Sequence, residues 1–201
     1  MRTALIIILV ALLAGAGAYY FAVTSRPQVA FSVSAPAKDA APSPADLVAR
    51  GQYLATLMAC ADCHSPHDDK GGLVKGREFS GHPEGAPLPT WNPEMLKQGN
   101  LATIAPTLTA FAGPLGVAVA PNLTPDMETG LMGVMTLETL TQSFRTGNHW
   151  KGGRPVMPPM PVPFYKDIKD EDLKAIYTFL KSLPAVKNKA PDSTFTPPPA
   201  P

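Results

Sequence analysis

The sequence has 201 residues and is nearly balanced in charge, with 17 Lys or Arg against 16 Asp or Glu. This balance argues against nucleic acid as a partner, because proteins that bind its phosphates carry a marked positive excess. Patterns suited to a folded core lie within residues 44–189, which is the length of one ordinary domain. The sequence therefore predicts a single domain there, flanked by segments of a different character.

An apolar segment precedes this domain. The run from Ala4 to Val23 carries no charge, and as a helix it would span roughly 30 Å, the thickness of a bilayer core. Arg2 favours retention of the N-terminus in the cytoplasm, so we predict a membrane anchor over residues 1–23 with the rest of the chain exported. A cleaved signal peptide is the alternative, because the most apolar part ends at Leu13 and small residues follow it.

A flexible linker and a first helix are predicted next. Residues 24–43 are rich in Ala, Pro and Ser, a composition typical of a tether. Ser43 is a good helix cap, Pro44 suits the first helical position and Asp46 places a carboxylate in the first turn. We predict a helix that ends near Ala59, in which Gly51 costs stability unless another helix crosses closely there.

Two further helices are predicted towards the C-terminus. A shorter one covers residues 137–146. The last runs from Asp170 to Leu183, with three acidic residues in its first turn and apolar residues at helical spacing, and Pro184 ends it. Residues 121–130 contain turn residues, and the proline-rich tail, residues 190–201, is predicted to be disordered. The predicted fold class is all-α.

The motif Cys60-Ala61-Asp62-Cys63-His64 carries the chemistry, because C-x-x-C-H is the signature of covalent haem attachment. Residues three apart lie on one side of a helical turn, so both thiols would add to the two vinyl groups of one porphyrin, with His64 beneath the iron. A redox dithiol is less favoured, since the sequence lacks the alternating strands and helices of thioredoxin-like proteins. We predict one covalent haem c at Cys60 and Cys63, with His64 as an iron ligand.

A structural zinc site is a second alternative for the two cysteines. Zinc needs two further strong ligands, and the other histidines show no paired spacing with each other. These histidines are His67, His82 and His149.

A sixth iron ligand is predicted from the segment Met157-Pro158-Pro159-Met160-Pro161, where prolines would hold a methionine rigidly. A thioether ligand raises the reduction potential relative to a second histidine. His82 and His149 are the alternatives. Five other side chains would pack against the haem or bind its propionates, or else pack in the ordinary way: Tyr165, Trp150, Trp91, Arg145 and Arg154.

These motifs together resemble the class I cytochrome c domain. The resemblance covers roughly residues 45–188 and includes Gly51–Leu54 before the cysteines, residues 121–130, Phe144–Gly147, Pro158–Pro161 and Tyr177–Pro184. More narrowly, the chain is similar to bacterial cytochrome c proteins that include the cytochrome subunits of membrane-bound alcohol and sugar dehydrogenases.

This resemblance implies the cytochrome c fold, with the first and last helices crossing at Gly51 and at Tyr177 or Phe179. It also implies Met160, rather than Met157, as the distal ligand. The sequence departs from the pattern in two respects. It carries one haem motif where such subunits commonly carry two or three, and Lys169 stands where a capping Thr or Ser is usual, which predicts a helix start at Asp170.

The predicted function is electron transfer. Ligation by His64 and Met160 would keep the iron six-coordinate in both oxidation states, as suits a carrier rather than an enzyme. The predicted location is the periplasm or the outer face of the membrane, with redox proteins as partners. The alternative is a haem sensor or peroxidase-like enzyme with an open sixth position.

Overall fold

The computed structural model describes residues 41–196. The predicted anchor or signal segment, residues 1–23, lies outside this range, as do residues 24–40 of the predicted linker and residues 197–201 of the tail. Within residues 41–196, no helix is both long and apolar enough to cross a membrane.

Short helices and a small sheet alternate along the described chain. In order, they are α1 (Pro44–Leu57), α2 (Cys60–His64), α3 (Pro93–Lys97), β1 (Thr103–Ile104), β2 (Ala110–Gly113), β3 (Gly116–Val119), α4 (Leu131–Val134), α5 (Leu137–Thr146), α6 (Val162–Tyr165), α7 (Asp170–Ser182) and β4 (Thr194–Phe195).

The helix starts follow local capping chemistry. Ser43 Oγ accepts from the Asp46 main-chain N–H at 3.2 Å, and the Asp46 carboxylate accepts from the Ser43 N–H at 3.0 Å, which forms a capping box at α1. α5 has the predicted bounds, and Thr136 and Thr139 cap it in the same way. α7 begins at Asp170, as the lysine at position 169 predicted.

The centre of the fold is the crossing of α1 and α7 at Gly51. A Cβ atom on Gly51 would lie 2.0 Å from the main-chain oxygen of Ala175 and 2.6 Å from Phe179 Cβ. The predicted crossing at a glycine and an aromatic residue is therefore confirmed, with Phe179 rather than Tyr177 at the contact. The main hydrophobic core lies beside this crossing and contains Ala55, Phe79, Met132, Met135, Leu140, Ile176, Phe179 and Leu180.

The prediction of an all-α fold is wrong in one respect, because the chain also forms a four-stranded antiparallel sheet in the order β1-β2-β3-β4. β2 and β3 form a hairpin around Gly113–Gly116, and Ala110 and Ala112 are buried on one face of β2. Alternation identifies this strand only weakly, because alanine is a strong helix former and the strand has four residues.

The tail also differs from the prediction of disorder over residues 190–201. Thr194 and Phe195 form β4 and pair with β3. Gly116 allows this pairing, since a Cβ there would lie 2.1 Å from the Thr194 oxygen. A long-range contact of this kind cannot be recognised from the composition of the tail.

Candidate haem-binding site

The C-x-x-C-H motif forms its own short helix, α2, rather than the end of the first helix. Met58 and Ala59 separate α1 from α2, and Ala59 has a left-handed backbone at φ 53°. Cys60 and Cys63 are three residues apart within this helix, so their side chains leave it on the same side, as the motif predicts. Both cysteines are half-buried free thiols.

The surroundings of the two thiols disfavour their thiolate forms. Burial raises the pKa of Cys60 to about 11. The pKa of Cys63 is also raised, mainly by burial and to a smaller extent by the negative charge of Asp62. Redox C-x-x-C pairs need the opposite shift, because the thiolate is the reactive species. These surroundings argue against a redox dithiol. Thioether formation with haem would add each S–H across one vinyl double bond: the π bond would break, a carbon–sulfur bond would form at one carbon, and the thiol hydrogen would move to the other carbon.

His64 is buried, and its ring is oriented by one main-chain carbonyl. Nδ1 lies 3.0 Å from the Pro121 oxygen. A carbonyl only accepts, so Nδ1 carries the proton and the lone pair is on Nε2. Burial also lowers the pKa of His64, which favours the neutral ring. A neutral imidazole with its Nε2 lone pair available is the form that binds haem iron, so His64 fits the predicted role.

Tyr165, which follows the segment that carries both methionines, lies near the two cysteines. The Tyr165 hydroxyl donates to the Met58 oxygen at 3.1 Å. Burial raises the pKa of Tyr165, and the nearby Cys60 and Cys63 thiols add to this shift. α6, which contains Tyr165, begins two residues after Met160. The structure therefore brings the end of the methionine segment to the region of the haem-attachment motif.

The alternative ligands His82 and His149 have other partners. His82 is fully buried, and its Nε2 donates to the Ala86 oxygen at 3.2 Å while its Nδ1 accepts from the Thr109 hydroxyl at 2.9 Å. His149 Nδ1 accepts from the Lys151 main-chain N–H at 3.3 Å. Both nitrogens of His82 are occupied, so its role is to hold the loops around residues 86 and 109 together.

Among the other aromatic and basic candidates, Arg145 and Trp91 have hydrogen-bond partners within the protein, whereas Trp150 does not among the residues described. Arg145 pairs with Asp170 at 2.6 Å and donates to the Lys166 oxygen, so it joins α5 to α7. Trp91 Nε1 donates to the Asn100 oxygen at 3.3 Å, far from the motif in sequence. Trp150 Nε1, in contrast, is buried and has no partner among the residues described, and it stays a candidate donor to a haem propionate.

Sequence reasoning missed three residues that support the site: Phe79, Asn122 and Asn188. Phe79 packs edge-on against Phe179, with ring centroids 5.7 Å apart. Asn122 and Asn188 are both almost completely buried, with 1% and 2% of their surface exposed. Asn122 belonged to a predicted turn, but the only local signal for Asn188 was a polar residue after the last helix.

A C-x-x-C-H motif whose histidine is buried and oriented by a main-chain carbonyl is typical of a haem protein of the c type. Residues 41–196 offer no group of three metal-binding side chains that would support the zinc alternative. The family comparison agrees, since the sequence model of cytochrome c matches residues 48–184. The chain belongs to the cytochrome c family.

Three relatives are cytochrome subunits of dehydrogenases. The chain is 31% identical over 150 residues to the cytochrome c subunit of a quinone-type alcohol dehydrogenase from Gluconobacter oxydans, covering 73% of this chain and 24% of that protein. It is 32% identical over 133 residues to the cytochrome c subunit of gluconate 2-dehydrogenase from Pantoea cypripedii, covering 66% and 22%. It is 27% identical over 133 residues to the fructose dehydrogenase cytochrome subunit from Gluconobacter japonicus, covering 66% and 20%.

The chain spans between a fifth and a quarter of the length of these relatives. Family membership shows that the protein carries covalently bound haem c with its iron. The fold is the cytochrome c fold, with the small sheet added to its helices.

Proposed function

We propose that this protein is a single-haem electron carrier, with the haem attached at Cys60 and Cys63 and the iron bound by His64 and Met160. The observation that carries the proposal is the His64 ring, which is buried, neutral and oriented by the Pro121 carbonyl at 3.0 Å. Met160 is favoured over Met157 because Met157 is already enclosed by protein atoms, with 6% of its surface exposed, whereas Met160 is only half-buried.

Haem c supplies a one-electron couple between ferric and ferrous iron. The protein's contribution is a fixed environment for that couple. The hydrogen bond from Nδ1 holds the His64 ring in one orientation. It also makes Nε2 a stronger electron-pair donor to iron. Pro159 and Pro161 restrict the chain on either side of Met160. Two ligands that stay in place in both oxidation states leave little to rearrange when an electron enters or leaves.

We further propose that the domain, residues 44–189, works outside the cytoplasmic membrane, held by residues 1–23 through the linker of residues 24–43. The apolar run of residues 4–23 supports this location. The partners would be redox proteins, because three relatives are cytochrome subunits of alcohol, gluconate and fructose dehydrogenases. In this arrangement one partner is oxidised by one electron and another is reduced.

The absorption spectrum of the purified protein tests this function. We expect low-spin six-coordinate haem in both oxidation states, and haem that stays with the polypeptide after denaturation. The double variant Cys60→Ser, Cys63→Ser should lose all covalent haem, whereas Cys63→Ser alone should retain one thioether bond. High-spin haem that reacts with external ligands would instead support the sensor or peroxidase-like alternative. Covalent haem in the double variant would exclude the proposed attachment site.

A further inference from the structure

His64 is held at two points by two neighbouring segments, residues 79–82 and 120–123. The Gly81 N–H donates to the His64 main-chain oxygen at 2.8 Å, and the ring Nδ1 donates to the Pro121 oxygen at 3.0 Å. Gly81 lies so close to Pro121 that a Cβ on it would be 2.5 Å from the Pro121 carbonyl carbon. A shift of either segment would therefore be transmitted to the ring of His64.

The two segments are also bonded to each other. The His82 N–H donates to the Ala120 oxygen at 2.9 Å, and the Leu123 N–H donates to the Phe79 oxygen at 2.8 Å. These bonds lie on either side of Pro121. They fix the direction of its carbonyl only as long as residues 79–82 stay in place.

Asn188, which follows α7, holds residues 79–82 from the outside. Its Nδ2 donates to the main-chain oxygens of Ser80 at 2.7 Å and of His82 at 2.8 Å, the two neighbours of the glycine that contacts His64. Its Oδ1 accepts from Arg77 Nη2 and from the Glu84 N–H, both at 2.9 Å. All the hydrogen-bonding groups of this buried amide are used.

The second segment is tied to the same part of the chain. Asn122 Nδ2 donates to the Val186 oxygen at 2.7 Å and to the Asn188 oxygen at 3.3 Å. Its Oδ1 accepts from the Thr124 N–H at 2.9 Å. Asn122 is the residue after Pro121, so residues 186–188 bind both segments that support His64.

We propose that residues 186–188 form a clasp, in that they hold together the two segments that support His64. Within this clasp, Asn188 is a positioning residue that maintains the bond from His64 Nδ1 to Pro121. The proposal rests on the proposed function, in which His64 binds iron. Hydrogen bonds to the outer nitrogen of a ligand histidine fix its ring and raise its basicity. Through this bond, a residue more than a hundred positions from the haem motif influences the iron environment.

The test is hydrogen exchange of the His64 Nδ1 proton, measured by NMR in the full-length, haem-loaded, reduced protein. Asn188→Ala leaves the buried oxygens of Ser80 and His82 unpaired. We expect the Nδ1 proton to exchange at least about tenfold faster, the factor that corresponds to about 1.4 kcal/mol, and its resonance to move upfield as the bond weakens. The main-chain amide of Ile176, in the core, should exchange at an unchanged rate.

Thr194→Val is the matched control. It removes a hydrogen bond of the same C-terminal region, from the Val117 N–H to Thr194 Oγ1 at 3.2 Å, without touching residues 79–82 or 120–123. It should leave the Nδ1 proton unchanged. Equal acceleration at His64 and at Ile176 in Asn188→Ala would mean general destabilisation and would overturn the clasp, as would no change at His64.

Asn188→Asp is a second variant, of nearly the same size as asparagine, in case Asn188→Ala folds poorly. The carboxylate keeps an acceptor for Arg77 Nη2 and for the Glu84 main-chain N–H, but it cannot donate to the main-chain oxygens of Ser80 and His82. The same faster exchange is therefore expected.

The spectrum of the unmodified protein distinguishes failure of the proposed function from failure of the clasp. A spectrum without His and Met ligation would overturn the proposed function, whereas a normal spectrum with unchanged Nδ1 exchange in both variants would overturn only the clasp.

Discussion

At the scale of single residues, Phe79 shows how the segment of residues 79–82, which supports His64, is held in place. Its φ of 59° lies in the left-handed region, which costs a non-glycine residue about 1–2 kcal/mol. The Phe79 N–H donates to Ser65 Oγ at 2.9 Å, and the ring packs against Phe179. These contacts compensate for the strained backbone. They hold the start of the segment that supports His64.

The identity of the distal ligand is also decided by one side chain. We expect Met160→Leu to remove the red methionine-to-iron absorption of the oxidised protein and to allow carbon monoxide to bind when the protein is reduced. The reduction potential should fall by about 0.1 V or more, since axial ligands set haem potentials over a range of about 0.8 V. Absorption spectroscopy and redox titration measure these effects.

Met157→Leu is the control for this prediction. It removes a thioether from a site with 6% exposure but nearly conserves side-chain volume, so it should cost less than about 1.5 kcal/mol of stability. Its spectrum and potential should match those of the unmodified protein. Loss of the red absorption in Met157→Leu alone would identify Met157 as the ligand, and loss in neither variant would reject both methionines.

At the scale of elements, the fold depends on the close approach of α1 and α7. Gly51→Ala would improve the helix propensity of α1 by about 1 kcal/mol. The new Cβ would lie 2.0 Å from a main-chain oxygen of α7, however, and the two helices would have to separate. We expect the free energy of unfolding of the haem-loaded protein to fall by about 2 kcal/mol, because overpacking costs more than propensity gains.

Gly72→Ala provides the comparison in denaturant unfolding. A Cβ at Gly72 would meet Asp68 Oδ1 at 3.6 Å, which is ordinary van der Waals contact. The free energy of unfolding should change by less than about 0.5 kcal/mol. If Gly51→Ala were as stable as Gly72→Ala, the helix crossing would not depend on a missing side chain at position 51.

The sheet and the helical part of the domain meet at His82. The Thr109 hydroxyl, immediately before β2, donates to His82 Nδ1 at 2.9 Å, while the Asn188 side chain donates to the His82 oxygen at 2.8 Å. The loop that supports His64 is therefore anchored on the sheet side as well as by the C-terminal segment. Through this contact, the sheet helps to hold in place the loop that supports His64 of the haem motif.

At the scale of the whole molecule, the proposed location depends on residues 1–23. If they form an uncleaved anchor, high salt should leave the protein in the membrane fraction, detergent should release it, and its N-terminal peptide should begin at or near Met1. The reason is that burying about twenty apolar residues in lipid is insensitive to ionic strength. Fractionation and mass spectrometry of the haem-loaded protein measure both properties.

A soluble haem-loaded protein that begins after Leu13 would identify the segment as a cleaved signal peptide. A protein released by salt alone, with an intact N-terminus, would contradict both readings of the segment and would point to attachment through charged partners.

Features with a local cause were predictable from the sequence. The attachment motif needs two thiols three residues apart and an adjacent histidine, so Cys60, Cys63 and His64 are recognisable in one short string. The starts of α1 and α7 follow from Ser43 and from the acidic residues after Lys169, because capping acts within a single turn. The glycine within α1 indicated a close crossing, since a mid-helix glycine is costly without one.

Only the tertiary structure decided features that join distant parts of the chain. The ring tautomer of His64 depends on Pro121, 57 residues away, and the bonds of Asn188 reach segments that are 104 to 111 residues away. β4 forms because Thr194 and Phe195 meet β3, not because the tail has a strand pattern. Hydrogen bonds of this kind satisfy groups buried by the whole fold, and the composition of either partner alone does not reveal them.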